Sequence, residues 1–471
     1  MMVMRRDLLS MIGVSSLAGA AGALMSRSGR VRAEAGVPAG GDPLAKATRR
    51  GENRSYIPVR TLSGWTLPYR LRDGAKEFHL VAEEVEHEFA PGCRAKCWGY
   101  NGTTPGPTIE AVEGDRVRIY VTNRLGEHTT VHWHGLILPS GMDGVGGLSQ
   151  PHIGPGETYV YEFTLQQHGT HMYHPHADEM VQLAVGMMGL FIIHPKAPEE
   201  APVDRDYAFL LHNWALHPGT YRPDPSIMQE FDLWTFNSKV FPAIEHPVAR
   251  TGERVRLRVG NLSMWNHPIH LHGVEYEVTG SDGGRWPRSQ WRREVTEIVG
   301  VGQARDIEFT AVPGDWALHC HMSHHTMNAM GHGIPNTLGV EQSGVEAEIR
   351  RMLPGYMAMG RDGMAEHAGH IAAGLPGPAN TLPMMTGDGP FGLIEMGGMF
   401  TVVKVRDDLT SGDYRDPGWY SNPRGSVAAR VSQDPNFGSP PRRSKPAPGT
   451  SSTKPQAPEK MPDMPGMKHD G

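Results

Sequence analysis

A short histidine-rich segment holds the residues best suited to metal chemistry. It runs from His319 to His325 around Cys320, and Met330 follows five residues later. Neighbouring side chains of a strand point to opposite faces, so Cys320 should face away from His319 and His321. A thiolate, two imidazoles and a weak axial thioether form a blue-copper electron-transfer site, and paired imidazoles suit further copper ions. The segment therefore predicts two metal centres linked covalently by Cys320.

Four pairs of histidines, each separated by one residue, form a second signal. The two members of such a pair share one face of a strand, so each pair can bind adjacent metal ions. A single pair is more typical of a surface or of a hydrogen-bonded core, whereas four pairs favour metal binding. The pairs are His132/His134, His174/His176, His270/His272 and His319/His321.

The sequence that precedes the histidine pairs, and should form the strands that position them, occurs twice along the chain. The sequence from Gly114 to Arg118 recurs, nearly unchanged, from Gly252 to Arg256, 138 residues later. Asn123 and the pair His132/His134 keep that offset and recur as Asn261 and His270/His272. The pair His174/His176 recurs after 145 residues as His319/His321. Two copies of one β-sandwich explain this internal repeat.

Composition agrees with a turn-rich β protein. The 471 residues include 58 glycines and 39 prolines, which favours strands and turns over helices. Length alone suggests about three domains of roughly 150 residues, but the motif spacing predicts two. The net charge of −6 gives no indication of nucleic-acid binding.

Strand and turn signals set the expected boundaries. We predict domain 1 over residues 75–198, with a first strand at 76–85, and domain 2 over residues 203–408, with a last strand at 397–405. A Met/His-rich insert of about residues 345–390 would interrupt domain 2 as a short helix and a long loop. The tail over residues 422–471 is rich in proline and serine, which predicts disorder.

The N-terminus resembles an export signal. Residues 1–35 contain a twin-arginine start, an apolar run of small residues and an Ala-x-Ala-like cleavage site, which predicts a periplasmic protein without a stable membrane anchor after cleavage. An anchor helix is the alternative, although the run barely reaches spanning length. Three cysteines exclude a disulfide scaffold. Cys93 and Cys97 could form a small loop disulfide or an exposed thiol pair.

The four histidine motifs resemble the copper motifs of multicopper oxidases, the laccase-like family that includes copper-resistance members. The resemblance covers roughly residues 75–345 and 390–408. It implies an all-β chain of two cupredoxin-like Greek-key sandwiches and about four copper ions per functional unit: one type 1, one type 2 and two type 3. Because His174-Pro175-His176 lacks a cysteine, only domain 2 should hold a blue copper.

The resemblance also implies a ligand for each copper ion. His267, Cys320 and His325 would bind the type 1 copper. Met330 has the spacing of the axial ligand and is preferred, whereas Met399 has its sequence context. His132 and His270 would bind the type 2 copper, and the type 3 pair would be bound by the other six: His134, His174, His176, His272, His319 and His321.

Such enzymes couple one-electron oxidation of a reductant to four-electron reduction of dioxygen to water. Cys320, His319 and His321 would carry the electrons. Asp178 and Glu179 are candidates for proton delivery, or ordinary surface carboxylates. The chain has no room for a middle domain, and the two-domain branch of the family shares its trinuclear cluster between subunits of a trimer. We therefore expect a homotrimer with a closed head-to-tail interface.

Methionine suggests the substrate, because soft thioethers select Cu(I). Met461, Met464 and Met467 recur every three residues in the tail, and further methionines lie in or beside the insert, although methionine also fills cores. Cu(I) is the favoured reductant, phenols are expected as well, and Mn(II) stays open. The alternatives are a periplasmic copper-sequestering protein without turnover and a two-domain copper nitrite reductase, which does not use eight histidines.

Overall fold

The computed structural model describes residues 56–217, 219–229, 231–328, 351, 379–380, 382 and 387–430. The predicted export signal, Met330, and most of the insert and tail lie outside these residues. The regular secondary structure of the described part is nearly all strand, which confirms the predicted all-β class. Its helices are all too short or too polar to cross a bilayer.

Domain 1 is a sandwich of two sheets. Its strands, with one that precedes them, are β1 (Arg60–Thr61), β2 (Arg70–Arg72), β3 (Ala75–Ala90), β4 (Cys93–Tyr100), β5 (Ile109–Val112), β6 (Arg116–Asn123), β7 (His132–His134), β8 (Thr158–Thr164), β9 (Gly169–His174) and β10 (Gly189–His194). The outer sheet has the order β2-β3-β6-β8, with β4 paired to β3. The inner sheet has the order β5-β10-β9-β7. A short helix, α1 (Glu179–Ala184), follows β9.

Domain 2 repeats the sandwich. Its strands are β11 (Arg205–Trp214), β12 (Leu233–Phe236), β13 (Val248–Arg250), β14 (Arg254–Asn261), β15 (His267–Leu271), β16 (Tyr276–Ser281), β17 (Gly284–Arg285), β18 (Arg292–Glu294), β19 (Thr296–Val299), β20 (Ala304–Thr310), β21 (Gly314–Cys320), β22 (Asp388–Gly389), β23 (Gly392–Leu393) and β24 (Phe400–Arg406). Its inner sheet runs β1-β11-β14-β20-β16-β17, with β12 on β11 and β18 on β16, and its outer sheet runs β13-β24-β21-β15-β19. The predicted last strand is confirmed as β24.

The four larger sheets stack in layers with three apolar cores between them, and β22 and β23 form a separate two-stranded sheet. Strand β6 alternates buried and partly exposed residues, as a strand with one face on a core should. Phe78 and Phe191 fill the core of domain 1, and Met172 and Leu210 lie in the core between the two inner sheets. Burial of each such side chain contributes about 1.5–3 kcal/mol. The histidine strands of domain 1 therefore lie in an inner sheet, and those of domain 2 in the far outer sheet.

Two buried asparagines support the predicted repeat. Asn123 and Asn261 are fully buried at the ends of β6 and β14. In each, the side-chain amide donates to the carbonyl four residues ahead, and the side-chain oxygen accepts the N–H two residues ahead. The same turn therefore leads into the first histidine strand of both domains.

Both sequence interpretations of Cys93 and Cys97 are wrong. The two thiols are free and buried on one strand, β4. Residues four apart on a strand are separated by about 13 Å, far beyond the roughly 7 Å limit between Cα atoms for a disulfide. Strand β3 is also longer than predicted, because its second half pairs with β4 as a hairpin.

Candidate metal centre

Three ligand-type side chains converge inside domain 2. His267 begins β15, Cys320 ends β21, and His325 lies on the short 3-10 turn Ser323–Thr326 that follows. The Cys320 Sγ is 3.6 Å from His267 Nδ1 and 3.4 Å from His325 Nδ1, and the two Nδ1 atoms are 3.1 Å apart. All three residues are fully buried. We call this group the thiolate pocket.

Ser263 determines how His267 presents its ring. The Ser263 Oγ is 2.7 Å from His267 Nε2, and it also lies within hydrogen-bond distance of two oxygens, those of the Asn261 side chain and the Trp265 backbone. Ser263 has a single hydroxyl proton, which it donates to one of these two oxygens. Its Oγ therefore accepts the hydrogen bond from the Nε2–H of His267. This tautomer leaves a lone pair on Nδ1, which faces Cys320.

Burial keeps the thiolate pocket uncharged until a cation enters. It lowers the pKa of His267 to about 3 and that of His325 to about 2, and raises the pKa of the Cys320 thiol to about 12. The cause in each case is that an apolar environment penalises the charged form. A metal ion that binds here must therefore displace the thiol proton.

The start of β24 closes the pocket from another side. The Met399 N–H donates to the His325 carbonyl at 2.9 Å, and the Cys320 N–H donates to the Met399 carbonyl at 3.1 Å. A Cβ on Gly398 would lie 2.3 Å from the His325 carbonyl oxygen, so only glycine allows this approach. Met399 is fully buried in the same core as Cys320. Met399 therefore lies beside the thiolate pocket, whereas Met330 lies outside the described residues.

The four histidines predicted from domain 1 lie together. His134 Nδ1 is 3.2 Å from His174 Nε2, and the ring of His132 is 5.3 Å from that of His174 and 5.7 Å from that of His176. The Nδ1–H of His132 donates to the Asp143 carbonyl at 2.8 Å. These contacts leave Nε2 of His132 available to a metal ion. We call these residues the domain 1 quartet.

The domain 2 quartet repeats that arrangement. His272 Nε2 is 3.1 Å from His319 Nε2, and the ring of His270 is 5.5 Å from that of His319 and 5.4 Å from that of His321. The Nδ1–H of His270 donates to the Val295 carbonyl at 2.5 Å.

The two quartets also share their strand register. His132 pairs with His174 across β7 and β9, and His270 pairs with His319 across β15 and β21. In both His174 and His319 the Nδ1–H donates to the carbonyl of the next residue at 2.9 Å. Among the described residues, no ring contact joins one quartet to the other.

The two carboxylates proposed for proton delivery have different surroundings. The Glu179 carboxylate is 3.4 Å from His174 Nδ1 and 3.7 Å from His176 Nε2. Asp178 is exposed, and its backbone carbonyl accepts the first hydrogen bonds of α1. Only Glu179 of the two therefore touches the domain 1 quartet among the described contacts.

Comparison with known proteins places the chain in a family. Models described as multicopper oxidase match residues 82–198 and 219–337, half of the sequence in all. The chain belongs to the multicopper oxidase family. Copper resistance protein A of Escherichia coli is 34% identical over 234 residues, which is 49% of this chain and 38% of that protein.

Solved structures of family members share the fold of this multicopper oxidase. A blue copper oxidase from Nitrosomonas europaea is 25% identical, with a TM-score of 0.52 over 70% of this chain and 85% of its own. The multicopper oxidase mgLAC is also 25% identical, with a TM-score of 0.53 over 73% and 91%. The copper resistance proteins are longer, and this chain spans between 26% and 38% of their length.

The residues present fit the copper ions that the family implies. A buried thiol between two imidazoles, with Met399 buried in the same core, matches the ligand types of a blue copper. The Nε2 atoms of His132 and His270 are left without a proton by the backbone contacts described above, as copper coordination requires. Sequence reasoning missed Ser263 and the ring of Trp234, which stacks on His325 at 4.8 Å. Neither residue carries a local motif that would identify it.

Proposed function

We propose that this multicopper oxidase takes single electrons from a reductant at the thiolate pocket and reduces dioxygen to water at the histidine quartets. The arrangement around Cys320 supports the proposal most directly. Its side chain belongs to the thiolate pocket, while the residue before it, His319, contacts His270 and His272 in the domain 2 quartet. One strand therefore joins both functions.

The chain's own residues would hold and connect the metal ions. His267, Cys320 and His325 would hold the type 1 copper, which accepts one electron at a time. The carbonyl of Cys320 accepts the Nδ1–H of His319, so a hydrogen bond shortens the route from the thiolate to the quartet. The two quartets together would hold the type 2 copper and the type 3 pair, and Glu179 would pass protons to His174 or His176.

Oxygen uptake tests this function directly. Copper-loaded protein is supplied in turn with Cu(I), Mn(II) and a methoxyphenol, and the rate of oxygen consumption is measured. We expect turnover with Cu(I) and with the phenol, accompanied by the intense blue thiolate absorption. Copper binding without oxygen uptake would favour a sequestering protein. Nitrite reduction is disfavoured because each domain assembles four histidines.

We propose that the functional unit is a homotrimer. Within one chain, inner sheet β1-β11-β14-β20-β16-β17 stands between the two histidine sheets, and packed sheets lie about 10 Å apart. Each quartet is therefore better placed to form a shared metal cluster with a quartet of a neighbouring subunit than with the other quartet of its own chain. Apolar side chains are exposed beside both: Ile137, Leu148 and Met180 in domain 1, and Val295, Ile298 and Val301 in domain 2.

Subunit complementation tests the shared cluster. His134→Ala and His272→Ala should each inactivate the protein alone. Co-expressed, the two variants should regain activity at about a quarter of the interfaces, where an intact domain 1 meets an intact domain 2. Light scattering should give three times the mass of one chain. Monomers that retain full activity, or mixtures that remain inactive, would contradict the trimer.

We propose Cu(I) as the preferred reductant and the bacterial periplasm as the location. Support comes from the methionines of the insert and tail and from the similarity to copper resistance proteins. Asn380 anchors the end of the insert, because its side chain accepts the Arg94 N–H and donates to the Thr220 carbonyl. A deletion of residues 353–375 spares that anchor. It should impair Cu(I) oxidation more than oxidation of a small dye, and equal losses would exclude this role.

A further inference from the structure

Three aromatic rings cover the thiolate pocket on the side of His325. Trp234 stacks on the His325 ring with a centroid distance of 4.8 Å and an angle of 19°. Trp265 is 6.2 Å from that ring, and His324 is 4.2 Å from it. His325 itself is fully buried. A reductant outside the protein therefore does not contact this ligand, and an electron that enters through His325 crosses one of the covering rings.

His324 is the covering ring best placed to meet a reductant. It is partly exposed, whereas Trp234 is buried. Among the described residues, no hydrogen bond engages either nitrogen of its imidazole. Its ring centroid lies 5.6 Å from that of Trp234 and 6.2 Å from that of Trp265. Within the described part of the chain, this partly exposed imidazole between two indoles therefore has ring nitrogens that can bind a ligand.

The chemistry of these side chains suits a soft monovalent cation. Imidazole is a good copper ligand, and thioethers select Cu(I). The face of an indole attracts a cation within about 6 Å of its centroid, which a metal ion on His324 can satisfy. Met264, the neighbour of Trp265 in sequence, is 50% exposed. A neutral phenol would gain stacking here but would not use the free imidazole nitrogen as a ligand.

We propose that His324, with Trp234 and Trp265, binds the Cu(I) substrate and forms the electron entrance of the oxidase. The proposal rests on the oxidase function proposed above. Each bound Cu(I) would be oxidised to Cu(II), and its electron would pass through the His324–His325 contact to the type 1 copper that His267, Cys320 and His325 would hold. Four such events supply four electrons, which with four protons from solvent convert one dioxygen to two waters. The Cu(II) product then dissociates and frees His324 for the next Cu(I).

Binding of Ag(I), which resembles Cu(I) but cannot be oxidised, tests the site without turnover. Copper-loaded protein is titrated with Ag(I) and tryptophan fluorescence is recorded. The unaltered protein should show quenching that His324→Gln weakens about tenfold in apparent affinity. His79→Gln, at an exposed histidine of the outer sheet of domain 1, is the matched control and should behave like the unaltered protein. Identical titrations for all three proteins would overturn the proposal.

Steady-state kinetics distinguish this entrance from an aromatic pocket. His324→Gln should raise the KM for Cu(I) about tenfold more than the KM for a methoxyphenol, and Trp265→Phe about threefold more. An unchanged blue absorption shows that the thiolate pocket is intact in each variant. A larger effect on the phenol would assign the rings to aromatic substrates and overturn the proposal. Absence of oxygen uptake by the unaltered protein with every reductant would instead refute the oxidase function.

Discussion

At the positions that correspond to His267 and Cys320 of domain 2, domain 1 has Thr129 and Pro175. The Thr129 hydroxyl donates to the Gln182 side-chain oxygen at 2.7 Å, and both residues are buried. A neutral hydrogen-bonded pair therefore fills the space where domain 2 has its thiolate pocket. The surrounding strands, the buried asparagines and the histidine quartets are otherwise alike.

This difference separates the two proposed tasks of the fold, which are electron entry and oxygen reduction. Under the proposed function, both domains would supply half of an oxygen-reducing cluster, because the quartets depend on strand register and on backbone carbonyls that orient the rings. Electron entry requires a buried thiol with two imidazoles, and only domain 2 offers them. In the proposed function, the duplicated scaffold would therefore retain oxygen reduction in both copies and confine electron entry to domain 2.

Removal of the thiolate should have the largest effect. Cys320→Ser should abolish the blue absorption, and turnover should fall by more than the about 10–100-fold that loss of an outer-shell partner costs. Absorption spectra and oxygen uptake provide the measurements. The reciprocal change in domain 1, Pro175→Cys, should add no second blue centre, because Thr129 and Gln182 provide no imidazole. A blue Pro175→Cys, Cys320→Ser protein would contradict the comparison.

Loss of the Ser263 hydroxyl should have the next largest effect. Ser263→Ala removes the acceptor that orients His267, so the affinity for the type 1 copper should fall about 10–100-fold. Copper retention during dialysis against a chelator measures the change. Ser263→Thr keeps a hydroxyl and should retain the copper. Equal retention by the alanine and threonine variants would show that the hydrogen bond is not needed.

The thiolate pocket should also make the metal-free protein sensitive to acid. Burial lowers the pKa of His267 to about 3 and of His325 to about 2, below the ordinary 6.5. Below pH 6.5 the two histidines therefore bind protons in the unfolded chain but stay neutral in the folded chain. The free energy of unfolding should fall by about 1.4 kcal/mol per pH unit for each histidine as the pH decreases from 6.5 to about 3.

Replacing both histidines by the residues of domain 1 tests this sign. The double variant His267→Thr, His325→Gln, without metal, should lose less stability between pH 6.5 and 4.5 than the unaltered protein. Denaturant unfolding in the presence of a chelator at several pH values measures the slope. Parallel slopes for the two proteins would show that the pocket does not contribute to acid sensitivity.

The axial thioether should have the smallest effect, visible mainly in the spectrum. We propose Met399, because its backbone is bonded to both His325 and Cys320. Met399→Leu should shift the blue absorption and raise the reduction potential of the type 1 copper, since a weak ligand is lost. Met330→Leu is the matched control and should leave both unchanged. The opposite result would return the axial role to Met330.

Much of the site is visible in the sequence because strand geometry is local. Side chains two apart share a face, so the four histidine pairs and the opposed direction of Cys320 follow from spacing alone. The offset repeat likewise predicts that both domains use the same strands, as the matched registers of His132 with His174 and His270 with His319 show.

The contacts between residues of different strands could be determined only from the tertiary structure. The sequence left Met330 and Met399 as alternatives, and only the course of β24 brings Met399 beside His325. Trp234 reaches His325 from a strand far earlier in the chain, and Cys93 and Cys97 are buried because two sheets enclose β4. Sequence periodicity specifies the face on which a side chain lies, whereas the order of strands and the stacking of sheets decide what that face meets.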